Sequence, residues 1–222
     1  MSIISKVLYL PRTVNFDHMK QILGLDESME IMNPYYMPLI EAMNNGFDDF
    51  VEISKFTAEN IGYVDFHNRT KANIIHDCIA QRIIDLFSEK ENLKVGVFNK
   101  IFGVNVENKL FVRFKKMDKY FNVSNLKTRQ HRKYMKQIPF EGFPEELTYL
   151  FAGYIPDPTW TGIKGIYLAC WRGDNLQWID EAGKRHSEQL TLKIDFGKAA
   201  VHEEIEKKIR LIGKVIKLNN EE

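Results

Sequence analysis

Between residues 113 and 137 the chain reads RFKKMDKYFNVSNLKTRQHRKYMKQ, nine Lys or Arg against one acid, Asp118. The cations are Arg113, Lys115, Lys116, Lys119, Lys127, Arg129, Arg132, Lys133 and Lys136. Such side chains neutralise phosphates and displace their condensed counterions, so a dense run of them is the electrostatic footprint of a polyanion grip. Arg129, Arg132, Lys133 and Lys136 recur at i, i+3, i+4 and i+7, which on a helix gathers them into an arc about 100° wide. Leu126, Tyr134, Met135 and Ile138 lie broadly opposite, so the helix docks by one side and presents a cationic stripe on the other. Four like charges this close repel unless an acidic partner or a phosphate backbone neutralises them. Just upstream, Arg113 and Lys115 alternate with Val112 and Phe114 as on a strand, and Lys116 continues the positive run. A basic strand beside a basic helix, with Tyr120 or Tyr134 to stack on bases, has the composition of a nucleic-acid groove. No helix-turn-helix, zinc finger or RNA-recognition aromatic motif accompanies it, so little sequence preference is expected.

Other chemistry-bearing residues are less well placed. Asp65, His67, His76 and Asp77 are metal-competent types, but the two histidines have no standard ligand spacing and no HExxH occurs. His76 falls at the edge of an apolar helical arc and reads as a hydrogen-bonded core-edge histidine. No metal and no cofactor are implied. Asp48, Asp49, Glu52 and Lys55 are the residue types of a metal-dependent nuclease. Their E-x-x-K spacing aligns acid and lysine only on a helix, where it gives a salt-bridged face. GVFNKIFG lacks the G-K-[ST] ending of a phosphate loop. Cys78 and Cys170 have no base partner in the sequence and no G-x-S-x-G elbow is present. Tyr154, Trp160 and Trp171 read as core edges before binding anchors.

The elements that must position these residues follow from periodicity. Residues 16–61 carry helical spacing with breaks expected at Asn33-Pro34 and Asn44-Asn45-Gly46. Lys71 to Phe87 is the strongest helix, with Ala72, Ile75, Ile79, Ile83, Leu86 and Phe87 in one arc and Asn68 or Thr70 as candidate caps. From residue 93 onwards apolar and polar residues alternate as in antiparallel strands, with Glu107-Asn108 at a hairpin turn. A helix is expected from about 125 to 137, capped by Ser124 or Asn125. LTYLFAGYI, GIKGIYLACW, LQWIDEA and QLTLKIDF follow as strands, and residues 198–218 as an amphipathic C-terminal helix. The fold class is therefore α+β: a helical N-terminal part, then a mainly antiparallel sheet with an inserted basic helix and a C-terminal helix. Residues 1–66 form a helical region and 67–222 an α+β core domain, or the two are continuous.

The 222 residues are 44% hydrophobic and 27% charged, ordinary globular values. No stretch reaches the roughly 20 apolar residues of a membrane helix. MSIISKVLYLPR has no basic leader or cleavage site, and two distant cysteines suit a reduced, cytoplasmic protein. Net charge is +1, yet residues 16–66 hold ten acids against two lysines. That asymmetry marks a polyanion-binding or partner-binding face, or two segments that face each other within one fold or across a homodimer.

RFKKMD (113–118), SNLKTRQHRKYMKQ (124–137), AGYIPD (152–157) and LQWID (176–180) together resemble a family of uncharacterised proteins of prophages, mobile elements and neighbouring defence operons. The resemblance covers residues 71–178, about half the chain, and implies a genomic neighbourhood rather than a reaction. The resulting expectation is a nucleic-acid-binding or regulatory accessory protein of a phage, mobile element or host defence system, a binding role before an enzymatic one. The alternatives are a module binding an acidic protein surface and, last, a metal-dependent nuclease.

Overall fold

A computed structural model describes residues 20–123, 128–144 and 146–182. The expected strand at 189–196 and the expected C-terminal helix lie outside the described residues, as do Ser124, Asn125, Leu126 and Lys127.

The expected breaks in the N-terminal region are absent. One helix, α1, runs Leu25–Asn60, through Asn33-Pro34 and Asn44-Asn45-Gly46. An interior proline removes a helical hydrogen bond and costs about 3 kcal/mol in an isolated helix. Here Met32, Tyr36, Leu39, Met43 and Phe47 bury one continuous stripe that outweighs that local preference. Gly46 is a contact rather than a break. A Cβ there would sit 2.7 Å from the backbone N and Cα of Ile79 on the second helix, α2 (Asn68–Phe87). The two helices run antiparallel: Gly46 touches Ile79, and the ring of Tyr35, early in α1, meets Phe87 at the end of α2. α2 buries Ile75, Ile79, Ile83 and Phe87, whereas Leu86 of the expected arc is exposed. Neither Asn68 nor Thr70 caps it: the N-cap is His67, which makes no side-chain capping bond.

Six strands follow: β1 (Leu93–Phe98), β2 (Ile101–Val106), β3 (Leu110–Lys116), β4 (Thr148–Pro156), β5 (Ile163–Arg172) and β6 (Asn175–Glu181). They form one sheet in chain order, antiparallel except for β3 and β4, which are parallel. Glu107 and Asn108 take the positive φ angles of a tight turn, and Asn99 and Lys100 do the same between β1 and β2. Asn105 clamps the first of these turns by accepting from the Asn108 N–H at 3.1 Å. The protein is α+β: helices first, then a mainly antiparallel sheet.

Parallel neighbours need a crossover over a sheet face. Here it contains α3 (Arg129–Met135), shorter at its start than the expected helix and capped by Thr128, whose Oγ1 accepts from the His131 N–H at 3.1 Å. The sheet thus has two cores. α1 and α2 cover one face over Val104, Val112, Phe114, Leu150, Tyr154 and Leu168. The α3 crossover covers the other over Phe111, Tyr149, Phe151 and Trp171. Among the described residues no helix is long and apolar enough to cross a membrane.

Filling the Gly46 contact should force the helix pair apart. Gly46→Ala is expected to lower stability by about 1–3 kcal/mol, seen as a lower urea midpoint with an unchanged slope. An unchanged midpoint would show that the helices can spread without loss.

Candidate anion-binding cleft

β2 and β3 pair over three residue positions, ending at Val104↔Val112, while β3 continues beside β4 as far as Lys116↔Tyr154. Along Arg113–Lys116, therefore, β3 has no strand on its β2 side. Gly103 marks the divergence, since a Cβ there would meet the Phe111 ring and the Val112 carbonyl at 2.6 Å. Into the gap opens a cleft of about 580 Å³. The first half of α2 lines one wall with Asn68, Arg69, Asn73 and His76, and the start of α3 lines the other with Thr128, Gln130 and His131. Arg113, Lys115 and Lys116 form the floor with Tyr154. Gln130 also donates to the Asn99 carbonyl, and Asn99 donates to the Glu141 carbonyl at 2.7 Å, fastening the β1–β2 hairpin beside α3.

Among the described residues no carboxylate lines this cleft. The Arg113 guanidinium lies 4.8 Å from the Tyr134 ring centre and 5.9 Å from that of Phe151, and its Nε is buried with no hydrogen-bond partner among the described residues. Stacking on two rings recovers part of the cost of burying a cation, but the unpaired N–H remains. Lys115 is largely buried beside it. Burial first, then the Arg113 charge, pulls the Lys115 ammonium down to about 8. His76 and His131 are both held below the usual histidine range, mainly by burial and then by Lys115 and Arg113. Lys116 sits 5.1 Å over the Trp160 ring. The Tyr154 hydroxyl, on a side chain only 1% exposed, has no hydrogen-bond partner among the described residues. Among the described residues this site has cations and donors in excess and no carboxylate in its lining.

The residues expected to act together divide three ways. Arg113, Lys115 and Lys116 lie in the cleft. Arg129, Arg132 and Lys136 are exposed on or beside α3 with Lys133 half-buried, and the stripe starts at the cleft rim because Thr128 and Gln130 line it. Lys127 lies outside the described residues. Tyr120 is 65% exposed beneath Lys119 and offers a free ring face. Tyr134 does not. It is 1% exposed, its hydroxyl donating to the Leu150 carbonyl at 2.6 Å with that of Phe111 3.0 Å away, so it is an anchor of the second core and not a stacking platform. Its position on the inner side of α3, which spacing did predict, is what buries it. Asp118, the lone acid of the run, accepts from the N–H groups of Tyr120 and Asn122 at 2.8 and 2.9 Å, so its carboxylate shapes a turn.

Arg69, His131 and Asn73 are members that sequence reasoning did not find, and Tyr154 is one it read as a core edge before a binding anchor. They come from α2, α3 and β4, and no spacing links them to β3. His76 is the core-edge histidine expected, 3.3 Å from Asp77 and edge-on to Phe102. Glu52 and Lys55 form the expected surface ion pair, while Asp49 pairs with Arg82 across the two helices at 2.6 Å. Among the described residues no three His, Cys, Asp or Glu side chains come together in a way that could hold a metal ion. None of the cations from 113 to 136 is paired with a carboxylate of the acidic segment among the described residues.

Comparison with known proteins found no matching family, no matching curated protein and no matching solved structure. The class that fold and site define is an α+β protein with a cationic cleft at a split between two strands.

Lys115 gives this cleft a pH signature. Sulfate keeps its charge across the range, so its affinity should fall several-fold between about pH 7 and 9.5 as Lys115 loses its proton near 8. The sign follows from the charge lost: Lys115 passes from cation to neutral beside Arg113, and a cation lost from the cleft weakens its hold on an anion. Calorimetry should find the fall, and Lys115→Gln should flatten it. A pH-independent affinity in the parent protein would show that Lys115 does not face the anion.

Proposed function

We propose that the chain is a nucleic-acid-binding protein that grips phosphates in the cleft and along α3. The observation that carries this reading is that, among the described residues, no acid lines the cleft to balance its cations. Natural proteins rarely leave buried cations uncompensated, because removing them from water costs several kcal/mol unless a counter-charge meets them. Arg113, Lys115, Lys116 and Arg69 hold phosphate within, and Arg129, Arg132, Lys133 and Lys136 extend the positive surface outward. Tyr120 supplies an exposed ring for a base. Such a surface binds through counterion release, which makes affinity steeply salt-dependent and nearly indifferent to sequence. It suits an accessory protein of a mobile element or of a host defence system, the setting implied by the sequence resemblance.

Binding of fluorescent single- and double-stranded DNA and RNA at two salt concentrations tests the proposal. Changing Arg129, Arg132, Lys133 and Lys136 together to Ser should weaken single-strand binding at least ~10-fold and reduce the salt slope by up to about 3. If affinity and slope are untouched, α3 does not contact the polymer. No binding at low salt, together with a salt-sensitive dimer by light scattering, would transfer the basic surface to an acidic partner or to a second copy of the chain.

A further inference from the structure

The buried stripe of α1 stops short of the helix end. Phe50, whose ring lies 6.5 Å from that of Trp160, is its last buried residue, and α1 runs on to Asn60. Ile53 and Phe56 in this last part, and Ile61, Tyr63 and Val64 in the connection to α2, are 41% to 84% exposed. Elsewhere among the described residues large exposed apolar side chains are scattered. Five of them within twelve residues make a patch of the kind that marks an interaction surface.

The patch has an acidic border. Asp48, Glu52 and Glu59 recur at i, i+4 and i+11, which places them within about 40° of one another on α1, next to Phe56. All three are exposed, and Lys55 stands among them. Its ammonium is held above the usual lysine range, first by its hydrogen bond to Glu52 and then by the charges of Glu52, Glu59 and Asp48. A surface that is both apolar and acidic fits an occupant that is apolar and basic. A second copy of the same tip would instead bring like charges together.

The chain itself contains such an occupant. Residues 207–218 read KKIRLIGKVIKL, with Lys207, Lys208, Arg210, Lys214 and Lys217 and no acid. Ile209, Ile212 and Ile216 recur at i, i+3 and i+7, an apolar set by sequence spacing. This segment lies outside the described residues. The last described residue, Ala182, donates its N–H to the Ile166 carbonyl at 2.8 Å and packs, like Trp160 and Ile163, against the core beneath α1. The chain therefore leaves the sheet on the face that α1 covers, at the end where Trp160 meets Phe50. The 24 residues between Ala182 and Lys207 span up to about 80 Å when extended, so reach does not limit the contact.

From this complementarity we propose that residues 207–218 dock on the α1 tip of the same chain, isoleucines on Ile53, Phe56 and Tyr63 and cations on Asp48, Glu52 and Glu59. The contact is independent of the cleft and of whatever the cleft holds.

Zero-length carbodiimide cross-linking of the full chain, read by mass spectrometry, tests it directly. Cross-links are expected from Lys207, Lys208, Lys214 or Lys217 to Asp48, Glu52 or Glu59. In a mixture of isotopically light and heavy protein they should join peptides of one label. Mixed-label pairs would place the segment on a second copy and overturn docking within one chain. Hydrogen exchange is the second readout. Changing Lys207, Lys208, Arg210, Lys214 and Lys217 together to Glu should speed exchange of amides 53–66 at least ~10-fold while the sheet exchanges as before. Adding Asp48→Lys, Glu52→Lys and Glu59→Lys to that variant should restore slow exchange. Absent cross-links, unchanged exchange in the Glu variant, or no recovery in the charge swap would each overturn the proposal.

Discussion

The parallel pairing of β3 with β4 is the constraint from which the rest of the site follows. Antiparallel neighbours can be joined by a tight turn, but parallel ones cannot, so the chain must cross a sheet face between Lys116 and Thr148. That crossover carries α3 and most of the basic residues. It is pinned from within by two polar side chains. Tyr134 places its hydroxyl between a β3 carbonyl and a β4 carbonyl. Gln137 holds Tyr149 by both N–H and C=O and reaches the Trp171 carbonyl at 2.9 Å, bridging β4 and β5 just beyond the first rung of their ladder. With the inner side of α3 committed to these bonds, its cations have only solvent to face.

The same pairing opens the cleft. β3 follows β4 to its end, while β2 leaves β3 after three rungs because its hairpin is fastened elsewhere, through Asn99 to the α3 start and through Phe102 to Phe114 and His76. A strand edge is left uncovered between two helical walls. Its alternation then places Arg113 and Lys115 towards the α3 side, with Lys116 turned towards Trp160 and the α2 side. Cations from both faces converge where the sheet splits.

Burial acts on this cluster in one direction. It favours the neutral form of each base, and the cations push their neighbours the same way, with Asp77 opposing them at His76. His76, His131 and Lys115 are all lowered, and Arg113 is lowered by burial as well. Holding these groups together costs folding energy, since a buried carboxylate at the centre would relieve them and none lines the cleft among the described residues. Arg82 with Asp49 and Lys55 with Glu52 show that this protein does pair its cations elsewhere.

By itself the sequence determined the α+β order, the strands from β2 to β6, the turn at Glu107-Asn108, the α2 core stripe and the cationic face of α3, but not the turn at Asn99-Lys100 that divides β1 from β2. These depend on periodicity and turn chemistry within a dozen residues, which one sequence displays. It misread the breaks in α1, because Pro34 and Gly46 are local helix breakers whose preference is outweighed by burial of a stripe against a sheet not yet formed. It also misread Tyr134, whose alternative roles as stacking platform and core anchor use the same residue at the same spacing. Tertiary structure alone decided that β3 and β4 run parallel, that β2 peels away, and that Arg69, His131 and Tyr154 join Arg113 and Lys115. Those residues are distant in the chain, and only the closing of the sheet around its two cores brings them to line one cleft.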